Sequence, residues 1–422
     1  MISKLTFPAF LPLLSLLRAI STAQTLEKCS PAYQPKPYTI NVDPVFIEET
    51  RVKASKFHKT ADIDAPAWFD GPPTSEISAI AEYWSEEYDW YKVQDGINKN
   101  FSHFYTTVPS PGGNYRSNDP VDLHFIHQRS EREDAIPILF LHGWPSTSLE
   151  WEKVILPLVN PGNESKPAFH VVAPDIPGFG FSPAAKAPGL GRAELGTVFS
   201  SLMAQLGYDR YALYSTDAGA ILAMGMVVDH AEDIINHITD FYIVFPTDAD
   251  TARFAANQTT SEEATYISAI NSYLTSHSAY ASIQSTYPLS LAYALNDSPV
   301  GFLAWQYQLT ATVGDETYTP ERLITDTLVL YINGVYGNIR LYKEIFNPAY
   351  FNPSVPFTVP TTILQFGSAG RYAELGNFNY VPRDWVERTA NVTYFNRHEK
   401  GAHFPALSQP QLVIDDIQAA LA

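Results

Sequence analysis

Asp217 stands in Ser215-Thr-Asp217-Ala-Gly219, between the β-type run Tyr211-Ala-Leu-Tyr214 and the helical run Ala220 to Val228. Strand, sharp turn and helix in that order make a nucleophile elbow, with a carboxylate where most such enzymes carry serine. The residue type selects the chemistry. A serine that opened an epoxide or displaced a halide would be left as a stable ether, whereas a carboxylate is left as an ester that water cleaves at its carbonyl. Asp217 therefore points to attack on an sp³ carbon.

Ester cleavage needs further groups. His142-Gly-Trp-Pro145 closes an earlier strand, where the main-chain N–H groups of Trp144 and Ala218 can converge as an oxyanion hole; losing one such donor costs ~10²–10³ in rate. His403, in Gly401-Ala-His-Phe404 between the last strand and the last helix, is the candidate general base, a role worth roughly 10²–10⁴-fold. Its place fits the chain order nucleophile, acid, histidine. Glu374, in Tyr372-Ala-Glu374-Leu beyond the strand ending at Phe366, is the candidate orienting acid, ahead of Asp384. An opened epoxide also leaves an alkoxide that needs a donor. Tyrosine suits this, because a pKa of ~10, raised further by burial, keeps it protonated at neutral pH. With 25 tyrosines in the chain, spacing alone does not choose among them.

The elements that must position these residues follow from periodicity. Apolar strands are expected at Leu123–Ile126, Ile136–Leu141, His170–Ala173, Tyr211–Tyr214 and Tyr242–Phe245, with helices near 149–158, 192–206 and 218–231. The alternation resumes at Thr361–Phe366 and Val392–Phe395 and closes with a helix from Leu412 to Leu421. Such alternation implies a largely parallel sheet covered on both faces. Between Pro246 and about Pro356 a mostly helical insertion adds no strands, as a lid would. Residues 24–60 read as an extended arm, and a helical stretch runs from Ser75 to Trp90. The chain thus divides into residues 1–23, an N-terminal segment at 24–120, a first core part at 121–246, a lid at 247–356 and a second core part at 357–422.

At 422 residues the chain can bury a sizeable core, and its 45% hydrophobic content is ordinary for a globular protein. A net charge of −18 without any basic run excludes nucleic acid and anionic membrane surfaces as natural partners. Residues 1–23 have the layout of a secretory signal, with Lys4, an apolar stretch from Leu5 to Leu17 and Ser21-Thr-Ala23 before Gln24. Secretion is therefore expected, with an uncleaved anchor as the rival. No later segment could span a bilayer, and the oligomeric state, a homodimer included, is left open. Sequons at Asn100, Asn163, Asn257, Asn296 and Asn391 agree with export. The one cysteine, Cys29, can form neither an internal disulfide nor a metal site, and the chemistry requires no metal and no organic cofactor.

The chain resembles epoxide hydrolases of the microsomal type, α/β-hydrolases with an added N-terminal segment, from about residue 38 to its end. Glu82-Tyr-Trp84 with Tyr88-Asp-Trp90, Asp175-Ile-Pro-Gly-Phe-Gly-Phe-Ser182, Ala294-Leu-Asn-Asp-Ser-Pro-Val-Gly301 and Arg340-Leu-Tyr342-Lys-Glu344 carry the likeness. It implies that Tyr280 and Tyr331 hold the epoxide oxygen, and that Glu374 and His403 complete the site. The elbow departs from the family's usual pattern, since Ala218 replaces a bulky residue after the nucleophile. The expected substrate is a small apolar epoxide, with water as co-substrate and a vicinal diol as product. Two other readings are a haloalkane dehalogenase, which needs N–H donors for the halide, and a catalytically silent hydrolase fold that binds a small ligand.

Overall fold

The computed structural model describes residues 33–314, 318–347, 353, 355–368 and 371–422. Nine strands form one sheet: β1 (Lys36–Tyr38), β2 (His103–Val108), β3 (Val121–Gln128), β4 (Ile136–Leu141), β5 (Phe169–Pro174), β6 (Tyr211–Ser215), β7 (Ile234–Thr239), β8 (Phe357–Phe366) and β9 (Ala390–His398). Their order is β1-β2-β3-β5-β4-β6-β7-β8-β9. β1, β2, β3 and β5 pair antiparallel, and from β5 through β9 every neighbour is parallel. The central strand β4, Ile-Pro-Ile-Leu-Phe-Leu, is apolar along its whole length because both faces are covered. In β4, Ile138 and Phe140 enter one core with Trp151, Val413 and Ile417, while Leu139 and Leu141 enter another with Val198, Leu202 and Leu222.

The expected fold class, an α/β-hydrolase with a helical lid, is what the chain adopts. Two local readings change. The strand after the elbow helix is Ile234–Thr239, and residues 242–245 pair with no strand. The Tyr266 hydroxyl accepts from Val244 N–H at 3.2 Å and donates to Val244 C=O at 3.1 Å, so a lid side chain supplies the bonds that a strand partner would. The arm contains the helix Pro44–Ser55, started by the Asp43 carboxylate accepting from Val45 N–H, with Pro44 in the first turn. The stretch read as one helix to Trp90 is two, Thr74–Glu86 and Trp90–Asn100, the second capped by Asp89. Residues 1–23, read as a secretory signal, and Cys29 lie outside the described residues.

The parallel register decides where chemistry sits. Leu141 stands opposite Ser215, Ser215 opposite Thr239 and Thr239 opposite Ile363. The segments that follow these residues therefore emerge side by side at the carboxyl edge of the sheet, where α/β folds place their ligands. Over that edge lie the lid helices, from Asp248–Ala255 to Val335–Ile345.

Candidate active site

Asp217 opens the helix Asp217–Asp229 with φ +44°, a left-handed conformation rarely adopted by residues other than glycine. Crowding maintains the turn. A Cβ on Gly219 would lie 2.2 Å from the Leu141 carbonyl oxygen, and one on Gly143 would lie 2.3 Å from Asp217 Oδ1. Both close approaches follow from the register, since residues 143 and 217 each lie two past the paired Leu141 and Ser215.

The carboxylate is held at two points. Trp144 N–H donates to Oδ1 at 2.8 Å, and His403 Nε2 lies 3.2 Å from Oδ2. Of the two predicted oxyanion donors, the Trp144 amide thus already addresses the carboxylate. Ala218 follows in the first turn of the helix and makes no such bond to it. The His403 ring is gripped edge-on by Phe241 at 5.1 Å and Phe404 at 4.6 Å, and its main-chain N–H donates to Val313 C=O.

Tyr280, on the helix Ala279–Thr286, stacks on Trp144 at 5.8 Å, and its hydroxyl lies 3.0 Å from that of Tyr273. Tyr342, on the helix Val335–Ile345, meets Trp144 edge-on at 6.0 Å and Tyr280 at 5.8 Å. Burial pushes both phenols well above their usual range, and the Asp217 carboxylate pushes them further. Burial likewise raises Tyr273, to about 12. All three are therefore protonated donors at neutral pH.

Tyr331 is not among them. It ends the helix Pro320–Tyr331 with its hydroxyl donating to the Asn296 carbonyl and its ring against Phe46 and Phe302, a brace between lid and N-terminal segment. The second phenol over Asp217 is Tyr342. The chain reverses through Ile332–Gly334, where Gly334 has φ +78°, and the next helix returns toward the sheet. Arg340 pairs with Glu344, and Glu344 accepts from Gly189 N–H, which fixes that helix. A signal was present in the sequence: Tyr342 is the tyrosine inside Arg340-Leu-Tyr-Lys-Glu344.

Glu374 also lies elsewhere. Its side chain is 50% exposed and pairs with His277 of the lid at 3.3 Å, not with His403. Asp384, the second choice, is 70% exposed beside Arg388. His403 acts electrostatically on a further carboxylate, Asp240, buried directly after β7 and raised by that burial to about 6. The misread strand at 242–245 had hidden it, because a residue before a strand end is not where an acid is sought. Among the described residues no group of three His, Cys, Asp or Glu side chains could hold a metal ion, and no helix is long and apolar enough to cross a membrane.

Fold and site define an α/β-hydrolase that carries a carboxylate rather than a hydroxyl at its elbow. Residues 35–151 match the family model described as epoxide hydrolase N terminus, and residues 136–239 match that of the alpha/beta hydrolase fold. The chain is 30% identical over 377 residues to the juvenile hormone epoxide hydrolase of Manduca sexta, covering 83% of this chain and 77% of that protein. It is 25% identical over 416 residues to epoxide hydrolase 1 of Sus scrofa, covering 91% and 87%. The crystal structure of juvenile hormone epoxide hydrolase from Bombyx mori superposes with a TM-score of 0.80 at 25% identity, covering 92% of this chain and 94% of that one. The chain belongs to the epoxide hydrolase family.

Proposed function

We propose that this epoxide hydrolase opens a small apolar epoxide at Asp217 and releases a vicinal diol. The arrangement that carries this reading is the Asp217 carboxylate held by Trp144 and His403 beneath the buried phenols of Tyr280 and Tyr342. Oδ2 attacks a ring carbon in line, the carbon–oxygen bond breaks, and the departing oxygen takes its hydrogen bonds and a proton from the phenols. In the second step His403 Nε2 removes a proton from water as the water oxygen bonds to the Asp217 carboxyl carbon. Oδ1 becomes the oxyanion and is already on the Trp144 amide. Collapse breaks the bond from that carbon to the alkyl oxygen, which takes the proton back from His403, and the second water proton, left on the regenerated Asp217 carboxyl, returns to the phenolate formed in the first step, restoring carboxylate and phenol. A halide site is disfavoured, because the Trp144 indole N–H is committed to Asn338 Oδ1 at 3.1 Å and Ala218 adjoins the nucleophile.

A single turnover in ¹⁸O-water tests the covalent route. The first diol should be unlabelled, its new oxygen coming from Asp217; label entering the diol directly sinks it. Replacing Asp217 by Ala separates enzyme from ligand binder, since a silent binder would keep its function.

We infer in addition that the protein is secreted. All five sequon asparagines are on the exposed surface, as glycan acceptors must be. Peptide mass spectrometry of protein from the native culture would read glycans on them and a new N-terminus at Gln24; an unmodified chain inside the cell is the contrary result. Light scattering of the same material decides between monomer and homodimer.

A further inference from the structure

Resting on the covalent route above, one question concerns what stabilises His403 once it carries a proton. Three carboxylates besides the nucleophile come into question. Glu374 is half-exposed and bonded to His277. Glu150, in the turn after β4, is fully buried with neither oxygen hydrogen-bonded. Burial, then the neighbouring Asp240, raise it well above the ordinary carboxylate value.

Asp240 is placed differently. Thr239 is paired with Ser215, and its hydroxyl donates to the Ser215 carbonyl at 2.9 Å, so Asp240 begins beside Thr216, the residue before the nucleophile. The next residue, Phe241, lies edge-on against the His403 ring. Asp240 is 6% exposed. Tyr214 O–H donates to its Oδ2 at 2.7 Å and fixes the carboxyl plane, while Oδ1 is buried without a hydrogen-bond partner. The Thr216 hydroxyl favours the anion from nearby without reaching bonding geometry.

We propose that Asp240, rather than Glu374, is the positioning residue of His403, supplying the buried counter-charge and the acceptor face that orient the imidazole for water activation. Two neighbouring buried carboxyls disfavour double ionisation, and the Tyr214 hydrogen bond to Asp240, with no such donor at Glu150, favours the charge on Asp240. His403 protonation stabilises the Asp240 anion in turn. The groups facing this pair are Tyr214 and Thr216 at the end of β6, Asp217 on its helix, Glu150 after β4, and Asp416 beyond Tyr214. Arg322, whose field acts on Glu150, is itself paired with Glu152 and Asp326.

Because His403 works only in ester hydrolysis, the two half-reactions separate this role from a structural one. Ester formation and decay are followed by intact-protein mass spectrometry, using whichever of styrene oxide, a long-chain fatty epoxide or a trisubstituted terpenoid epoxide the wild type turns over. In Asp240→Asn, ester should form within about 3-fold of the wild-type rate and decay at least about 10²-fold more slowly, so that it accumulates. The apparent pKa for decay should fall with loss of the counter-charge, and Asp240→Glu should recover part of the rate. Glu374→Gln should decay within about 3-fold of wild type. Accumulation of ester in Glu374→Gln, or wild-type decay in Asp240→Asn, overturns the assignment. If Asp240→Asn does not fold, the Glu374→Gln decay rate alone decides in the same sense. Absence of any ester in His403→Gln would instead count against the covalent route, so the two failures are told apart.

Discussion

Replacing Tyr342 by Phe should slow ring opening about 10²-fold and leave the fold intact. The ring is buried among Trp144, Tyr280 and Phe346, and Phe keeps that packing, so the change removes only the O–H. An oxygen that becomes an alkoxide in this enclosed site has two phenolic donors. Loss of one donor to a developing oxyanion costs ~2.7–4 kcal/mol, or ~10²–10³ in rate. The lower end applies here, because Tyr280 remains and is itself backed by Tyr273 at 3.0 Å. The raised pKa of both phenols means that neither is lost to ionisation at neutral pH. Trp144 touches both rings and its amide holds the nucleophile, so its fluorescence should follow ester formation in stopped flow. Tyr331→Phe is the control, since its hydroxyl serves a main-chain carbonyl in the brace to the N-terminal segment. That variant should open the ring within about 3-fold of wild type while losing stability, on the order of 1 kcal/mol. Equal ring-opening defects in Tyr331→Phe and Tyr342→Phe would refute this placement of the phenols.

Three further outcomes are expected. Tyr273→Phe removes the donor behind Tyr280, a loss of about 0.5–1.5 kcal/mol, and should slow ring opening about 2- to 13-fold with hydrolysis of the ester unchanged; an unchanged opening rate would show that the contact is idle. Gly143→Ala drives a Cβ onto the Asp217 carboxylate, so ester formation should drop at least about 10²-fold while circular dichroism stays that of wild type; normal formation would mean that the elbow yields. Burial depresses His103 to about 4, with the neighbouring His124 adding to the effect, so it folds as the neutral ring. Its contribution is complete above the unfolded value of ~6.5, shrinks as pH falls toward 4, and amounts to ~3 kcal/mol at full extent. The urea midpoint should therefore decline from pH 7 to pH 4.5, and the His103→Asn variant should show a flatter decline; identical slopes would remove His103 from the account.

Most of the catalytic machinery was readable without coordinates because it is local. The elbow is a strand, a turn and a helix within twenty residues, and the types at 215–219 declare the tight bend and the carboxylate at its tip. Trp144 and His403 were likewise marked by short motifs at strand ends. The two misplaced residues share a cause. A tyrosine's or glutamate's role depends on which way its segment faces after a turn, and neither the reversal at Gly334 nor the course of residues 371–376 has a periodic signature. Tyr331 is as apolar in context as Tyr342, and both are buried. Only one of them has a helix that returns to the sheet edge.

By itself the sequence determined the α/β class, the helical insertion and the tight elbow that carries Asp217, since hydrophobic period and turn chemistry act over a few residues. Tertiary structure alone decided which phenols close over Asp217 and which carboxylate stands near His403. Those choices depend on strand register and helix reversal, which bring Thr239 beside Ser215 and Tyr342 beside Trp144 across more than a hundred residues of intervening chain in the second case. Burial then completes the chemistry, because the same side chains in water would keep ordinary pKa values and could not act as fixed donors and counter-charges.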